Sequence, residues 1–377
     1  MNNIDQLRIR RSGTGVRAYD PKEAFNGYTL FTPMNGKGIV YLIDMNGNIV
    51  HRWKLKHPPG LYGRLLQNGN LLYCGKLPDL QPRFKDWTRW KAGSVSEVTW
   101  DSKVLWEIQH EDHHHDACKL QNGNIMLLCL TEIPDAIAQK VQGGIPDPSG
   151  DRAMYADYLI EVTQTGEEVW KWKSWEHLEP YSDRITLQDY RTEWTHGNTV
   201  VEMPNKNIMV SFRNISTVLI IDKNTGKIVW KLGAPPLAQQ HDPKPLDNGN
   251  ILIFDNGTHR MDHPVPFSRV IEVEPQTKNI VWSYQEVIPY SFFSPYISGA
   301  QRLPNGNTLI CEGNYGRLFE ITAAGTLVWE YVNPFFETPA DSPDSAASNS
   351  VFRAFRYSSE ELPNLNPYGG QQRLNPS

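Results

Sequence analysis

Apolar and polar residues alternate along this chain in short runs, and the runs return in a fixed order. One unit is a polar turn, then two or three β-formers, then a tryptophan. It first appears as Asn46-Gly47-Asn48-Ile49-Val50-His51-Arg52-Trp53 and returns with Trp106, Trp170, Trp230, Trp282 and Trp329. These tryptophans stand 47 to 64 residues apart, which suits one four-stranded propeller blade with its loops. A second unit, Asn-Gly-Asn before an apolar run, falls at Asn68-Gly69-Asn70, Asn122-Gly123-Asn124, Asn248-Gly249-Asn250 and Asn305-Gly306-Asn307. Asn205-Lys206-Asn207 is its variant. Asn-Gly between alternating runs marks a tight hairpin, because its central residues take φ > 0.

The pattern predicts an all-β fold, a six-bladed β-propeller of four-stranded antiparallel blades. The first unit has only three strands, over 28–32, 39–43 and 49–53. The isolated run Val351-Phe352-Arg353-Ala354-Phe355-Arg356-Tyr357 is expected to supply the fourth, closing the ring and removing its open edges. The propeller is expected over 26–360, between an N-terminal extension (1–25) and a C-terminal tail (361–377). Two long connections, 132–157 and 174–195, are expected on the face where the channel opens, since long loops gather beside sites.

Composition narrows the function. The 377 residues carry a net charge of only −5, so nothing suggests a nucleic-acid partner. No apolar run reaches membrane-spanning length, so no membrane partner is expected either. The four cysteines show no metal or disulfide spacing and read as small buried hydrophobes. The first residues lack an apolar signal core, so the sequence reads as cytoplasmic.

The candidate chemistry lies in histidines that keep phase with the repeat. His115 and His241 each stand seven residues before an Asn-Gly-Asn turn, a slot held elsewhere by Leu61, Asn198 and Ser298. His196 precedes its slot by two. Inner strands begin there, so the three imidazoles should converge on the channel. His114 competes with His115 for that place, while His110 and His113 read as loop residues and His51, His57 and His177 as solvated. Arg213 ends the apolar run Ile208-Met209-Val210-Ser211-Phe212, where a buried guanidinium needs an anionic partner. Imidazoles plus an inward guanidinium suit an oxyanion such as sulfate, phosphate or carboxylate. Arg269 is a second such arginine, with a salt-bridged structural role as its alternative. Trp194, Tyr296 and Phe293 offer rings to an aryl group or to blade packing, and Asn198 is taken with the substrate-binding set.

His114-His115-Asp116, Trp194-Thr195-His196-Gly197-Asn198, Ser211-Phe212-Arg213, Gln240-His241-Asp242, Phe254-Asp255-Asn256-Gly257 and Ser268-Arg269-Val270 follow one another along the chain. Together they resemble the bacterial aryl-sulfate sulfotransferases that do not use phosphoadenosine phosphosulfate. The resemblance spans roughly residues 26 to 357 and implies a six-bladed propeller with its site in the central channel. It implies sulfuryl transfer from an aryl sulfate to a phenol through a histidine-linked intermediate, without a cofactor. By motif, the nucleophile falls on His241, the supporting imidazoles on His115 or His114 and on His196, and the sulfuryl-binding arginine on Arg213. Two other readings use the same residues: a propeller hydrolase or lyase with a His-bound divalent metal, and a non-catalytic protein-binding propeller. A homo-oligomer is left open.

Overall fold

The computed structural model describes residues 13–78, 83–84, 86–150, 153–339 and 344–365; residues 1–12 of the expected extension and 366–377 of the tail lie outside them. Six antiparallel sheets form six propeller blades. Blade one is Tyr28–Pro33, Ile39–Ile43 and Ile49–Lys54 with Val351–Tyr357 on its inner side, so the C-terminal strand closes the ring as expected. The inner strands of blades two to six are Pro59–Leu65, His113–Lys119, Gly197–Glu202, His241–Pro245 and Gly299–Arg302. Gly15–Tyr19 adds a fifth strand to blade six by pairing with Leu327–Val332. The ring is therefore joined from both ends of the chain, and Arg356 of the closing strand also meets Glu320 of blade six at 3.1 Å.

Both sequence repeats have a physical cause. Trp53, Trp170, Trp230, Trp282 and Trp329 each donate Nε1–H to a backbone carbonyl (Thr99, Lys223, Pro275, Ala323 and Met45), the turn of the next blade. Each indole thus covers a seam between blades and leaves no buried donor unpaired. Trp106 instead donates to Glu97 within its own blade. In the Asn-Gly-Asn turns, the glycines of blades two, three and five sit at φ +78°, +87° and +86°. Both asparagines of each of these turns donate to one carboxylate of the third strand, Glu97, Glu161 or Glu272.

The centre of the ring follows from the position after the slot. That position holds Tyr62, Asp116, Thr199, Asp242 and Gly299 in blades two to six, and Arg353 in blade one. Arg353 Nη1 donates to Asp116 Oδ2 (3.0 Å) and Tyr62 Oη (3.1 Å), and Nη2 to the Asn198 carbonyl (2.7 Å) and Thr199 Oγ1 (2.6 Å). Its Nε lies 3.1 Å from Asp242 Oδ1. Blade six supplies a glycine because a Cβ at Gly299 would stand 2.2 Å from Asp242 Oδ2. One buried guanidinium therefore binds the inner strands of four other blades.

The two long connections meet over one side of the channel, where Gly143–Ile145 pairs in parallel with Ile185–Tyr190. They emerge on the site face, as expected.

Removing a buried cation strands its carboxylates, at a cost of about 3–5 kcal/mol. Arg353→Met should lower the unfolding free energy by about that amount in urea titrations. A loss below about 1 kcal/mol would mean that the central ion pairs contribute little.

Candidate functional site

The starts of the inner strands open into a cavity of about 800 Å³ whose wall includes His115, His196, His241 and Arg213. Three imidazoles from blades three, four and five thus come together. His115 and His196 have ring centroids 4.9 Å apart, and Phe352 packs 6.0 Å from His115 and 6.3 Å from His241. The local backbone is unusual. His115 and His196 both take φ +50°, a left-handed conformation uncommon for non-glycine residues and frequent at functional sites.

Each imidazole has a different partner. His241 Nδ1 lies 2.8 Å from Asn256 Oδ1. The Asn256 amide is oriented by its own donation to the Ser294 and Ile297 carbonyls, at 2.8 and 2.9 Å. Nδ1 therefore carries the proton. Nε2 accepts the Ile297 N–H at 3.2 Å, which requires it to be unprotonated. His196 Nδ1 lies 2.9 Å from Glu193 Oε2. His115 Nδ1 lies 2.7 Å from His114 Nδ1, and His114 Nε2 approaches Asp157 Oδ1 at 2.9 Å, off the line of a good hydrogen bond. His114 is wholly buried behind His115, so His115 is the imidazole on the cavity wall.

Electrostatics keep two of the rings neutral. Burial, and then the Arg213 charge, hold His241 well below the ordinary imidazole range. Burial, followed by the neighbouring His196 and His114, does the same for His115. Arg213 Nη1 lies 3.0 Å from Asn214 Oδ1 and 3.4 Å from Asp189 Oδ1, and among the described residues these are its side-chain hydrogen bonds, so part of its fork can meet an anion. Trp90, Phe84 and Tyr296 add aromatic wall, Trp90 standing edge-on to His196 at 4.8 Å.

Other expected site residues lie elsewhere. Asn198 is fully buried: its Nδ2 donates to the Gln240 carbonyl (2.9 Å) and its own carbonyl accepts from Arg353, so it joins blades. Trp194 is buried in the packing between blades three and four and donates Nε1–H to the Asp183 carbonyl at 2.6 Å. Arg269 takes its structural alternative, with Nε 2.8 Å from Asp255 Oδ2 and Nη2 2.7 Å from the Pro236 carbonyl. Phe293 is not among the wall residues, whereas Tyr296 is. His113, expected in a loop, begins the inner strand of blade three and is fully buried. Its Nε2 sits 3.2 Å from the Asp116 carbonyl. His51, expected in solvent, is half-buried and stacks on Trp100 at 4.0 Å.

Several site residues were not singled out from the sequence. Trp90 belongs to Trp87-Thr88-Arg89-Trp90, between the second and third strands of blade two, and neither tryptophan fits the blade-end series. That surplus was a usable signal. Glu193 stands three residues before His196, and Asn256 lies inside a segment quoted only for resemblance.

The buried neutral histidines tie stability to pH. Burial, then His114, pushes His113 down to about 3, and His115 and His241 also fall well below 6.5. The unfolded chain therefore takes up protons first, so stability is complete above pH 6.5 and falls on acidification. Each such group costs at most about 1.4 kcal/mol per pH unit below its unfolded value. The Tm should hold from pH 8 to about 7 and drop from about 6.5 to 5. A Tm that is flat or rises over that acid range would contradict this account.

The model of the family described as Arylsulfotransferase (ASST) matches residues 19–238 and 236–334. No curated protein sequence matches the chain. Among solved structures, a protein of unknown function from Bacteroides caccae is 15% identical with a TM-score of 0.53, covering 88% of this chain and 98% of that one. A streptogramin B lyase is 11% identical with a TM-score of 0.47, covering 93% and 95%. A virginiamycin B lyase from Staphylococcus aureus is 8% identical with a TM-score of 0.46, covering 85% and 88%. The first of these likenesses is one of fold alone. The family match extends over most of the sequence and takes in the three cavity imidazoles of His115, His196 and His241. The chain belongs to the arylsulfotransferase (ASST) family.

Proposed function

We propose that this protein moves a sulfuryl group from an aryl sulfate to a phenol through a sulfuryl intermediate on His241. The observation that carries this reading is the state of His241: neutral, with its proton held on Nδ1 and its Nε2 lone pair unprotonated in a cavity shared with Arg213. Neutral imidazole is a competent nucleophile, and membership of the family points to the same chemistry.

In the first half-reaction the Nε2 lone pair attacks sulfur, and the long Ile297 N–H contact opens to admit it. The N–S bond forms as the S–O bond to the aryl group breaks. The electron pair leaves on the phenolate oxygen, which takes a proton from a neighbouring imidazole. Asn256 Oδ1 holds the Nδ1 proton of the sulfurylated ring. In the second half-reaction an acceptor phenol gives up its proton and attacks sulfur, and the N–S electron pair returns to Nε2. Arg213 stabilises charge on the sulfuryl oxygens, and Trp90, Phe84 and Tyr296 face the aryl rings. Against the metal-dependent alternative stands Arg213, whose charge opposes a cation in the same cavity.

Wild-type protein treated with para-nitrophenyl sulfate should gain the mass of one SO3, mapped to His241. His241→Asn should gain none and turn over nothing; an adduct persisting in that variant would overturn the assignment. Arg213→Met should slow transfer by about 10²–10³-fold.

The depressed His241 value fixes a pH trend. The nucleophile stays unprotonated as pH falls through 6.5, so single-turnover phenol release should not lose rate on that acidification. A loss of rate on lowering the pH, centred at or above 6.5, would contradict the proposed nucleophile.

A further inference from the structure

The three cavity imidazoles differ in what stands behind them, and the difference divides their work. Behind His241 is a neutral amide, behind His115 another imidazole, and behind His196 a carboxylate. An amide cannot neutralise a protonated ring, and His114 would repel one. Glu193 attracts it. We propose that Glu193 is the positioning residue of the reaction, and that it makes His196 the group that gives a proton to the departing phenolate and takes one from the acceptor phenol. This rests on the sulfuryl-transfer reading above.

The geometry around Glu193 is well fixed. Its carbonyl accepts Asn214 Nδ2–H at 3.0 Å, beside Arg213, and Glu193 bridges Tyr155 in parallel. The next residue, Trp194, donates its N–H to the Tyr155 carbonyl at 2.8 Å and is locked through its indole. The carboxylate reaches Nδ1 of His196 with Oε2, while Oε1 is buried with no hydrogen-bond partner among the described residues. Trp90 and His115 flank the ring at 4.8 and 4.9 Å. His196 therefore keeps Nδ1–H toward Glu193 and presents Nε2 to the cavity.

The proton balance closes over one cycle. Imidazolium His196 delivers its Nε2 proton to the phenolate as the S–O bond breaks, leaving a neutral ring with Nδ1–H on Glu193. The acceptor phenol returns a proton to Nε2 as its oxygen attacks sulfur. Glu193 neither gives nor takes a proton in the cycle and touches no reacting atom.

Leaving groups of different basicity test this role. Glu193→Gln keeps the shape and can still accept Nδ1–H, but it lacks the negative charge. Single-turnover release is measured for aryl sulfates from para-nitrophenyl, whose phenolate needs little help, to phenyl, whose phenolate needs a proton. The variant should lose about 10²-fold or more with phenyl sulfate and far less with para-nitrophenyl sulfate. His196→Asn should show the same steepened dependence. An equal loss across the series, or no loss anywhere, in a variant with wild-type Tm would overturn the role of Glu193. If wild-type protein releases no phenol from any of the esters, the sulfuryl-transfer reading itself fails.

Discussion

The structure depends on one buried charge. Arg353 reaches from the closing strand to the inner strands of blades two, three, four and five, and its guanidinium is matched by Asp116 and Asp242. Lys244 offsets the second of these carboxylates at 2.8 Å. A propeller ring has a hollow centre, and apolar side chains from six converging strands would need mutually compatible shapes to fill it. A planar fork with five donors fills it directionally and specifies where each strand begins. The same residue couples ring closure to the site, because Asp116 and Asp242 directly follow His115 and His241 in sequence.

The paired His-Asp steps therefore have two jobs. In blades three and five the aspartate turns to the central arginine while the histidine turns to the cavity. The positive φ of His115 and of Asp242, +50° and +53°, accompanies that divergence. Blade four uses another solution: Asn198 and Thr199 serve the centre, and the catalytic candidate moves two residues upstream to His196. Strain and burial are concentrated where the imidazoles meet, as expected of a preorganised site.

The blade count and the closing strand were legible because Trp and Asn-Gly-Asn report conserved geometry within one chain, repeated six and four times in phase. Convergence of His115, His196 and His241 was legible for the same reason, since phase in a repeat fixes direction. Pairings that cross blades left no such trace. Trp194 and Tyr296 are both aromatic, yet one packs between blades and the other faces the cavity, which local sequence cannot distinguish. Arg269 and Arg213 likewise differ only through distant partners: Asp255 and the Pro236 carbonyl hold one, while the other meets Asp189 at 3.4 Å on the cavity wall. Arg353 sits in the apolar closing strand, where a buried guanidinium needs an anionic partner just as Arg213 does at the end of its run.

The proposed reaction is a covalent, two-step transfer in a cavity built by that packing. The most direct measurement separates the steps in time. Protein is exposed to an aryl sulfate carrying sulfur-35, freed of donor by rapid desalting, and then given a phenol. In a stepwise transfer, label stays with the protein until the phenol arrives and then leaves stoichiometrically as the new aryl sulfate. Label that never stays with the protein, with product forming only while donor and phenol are present together, would contradict it.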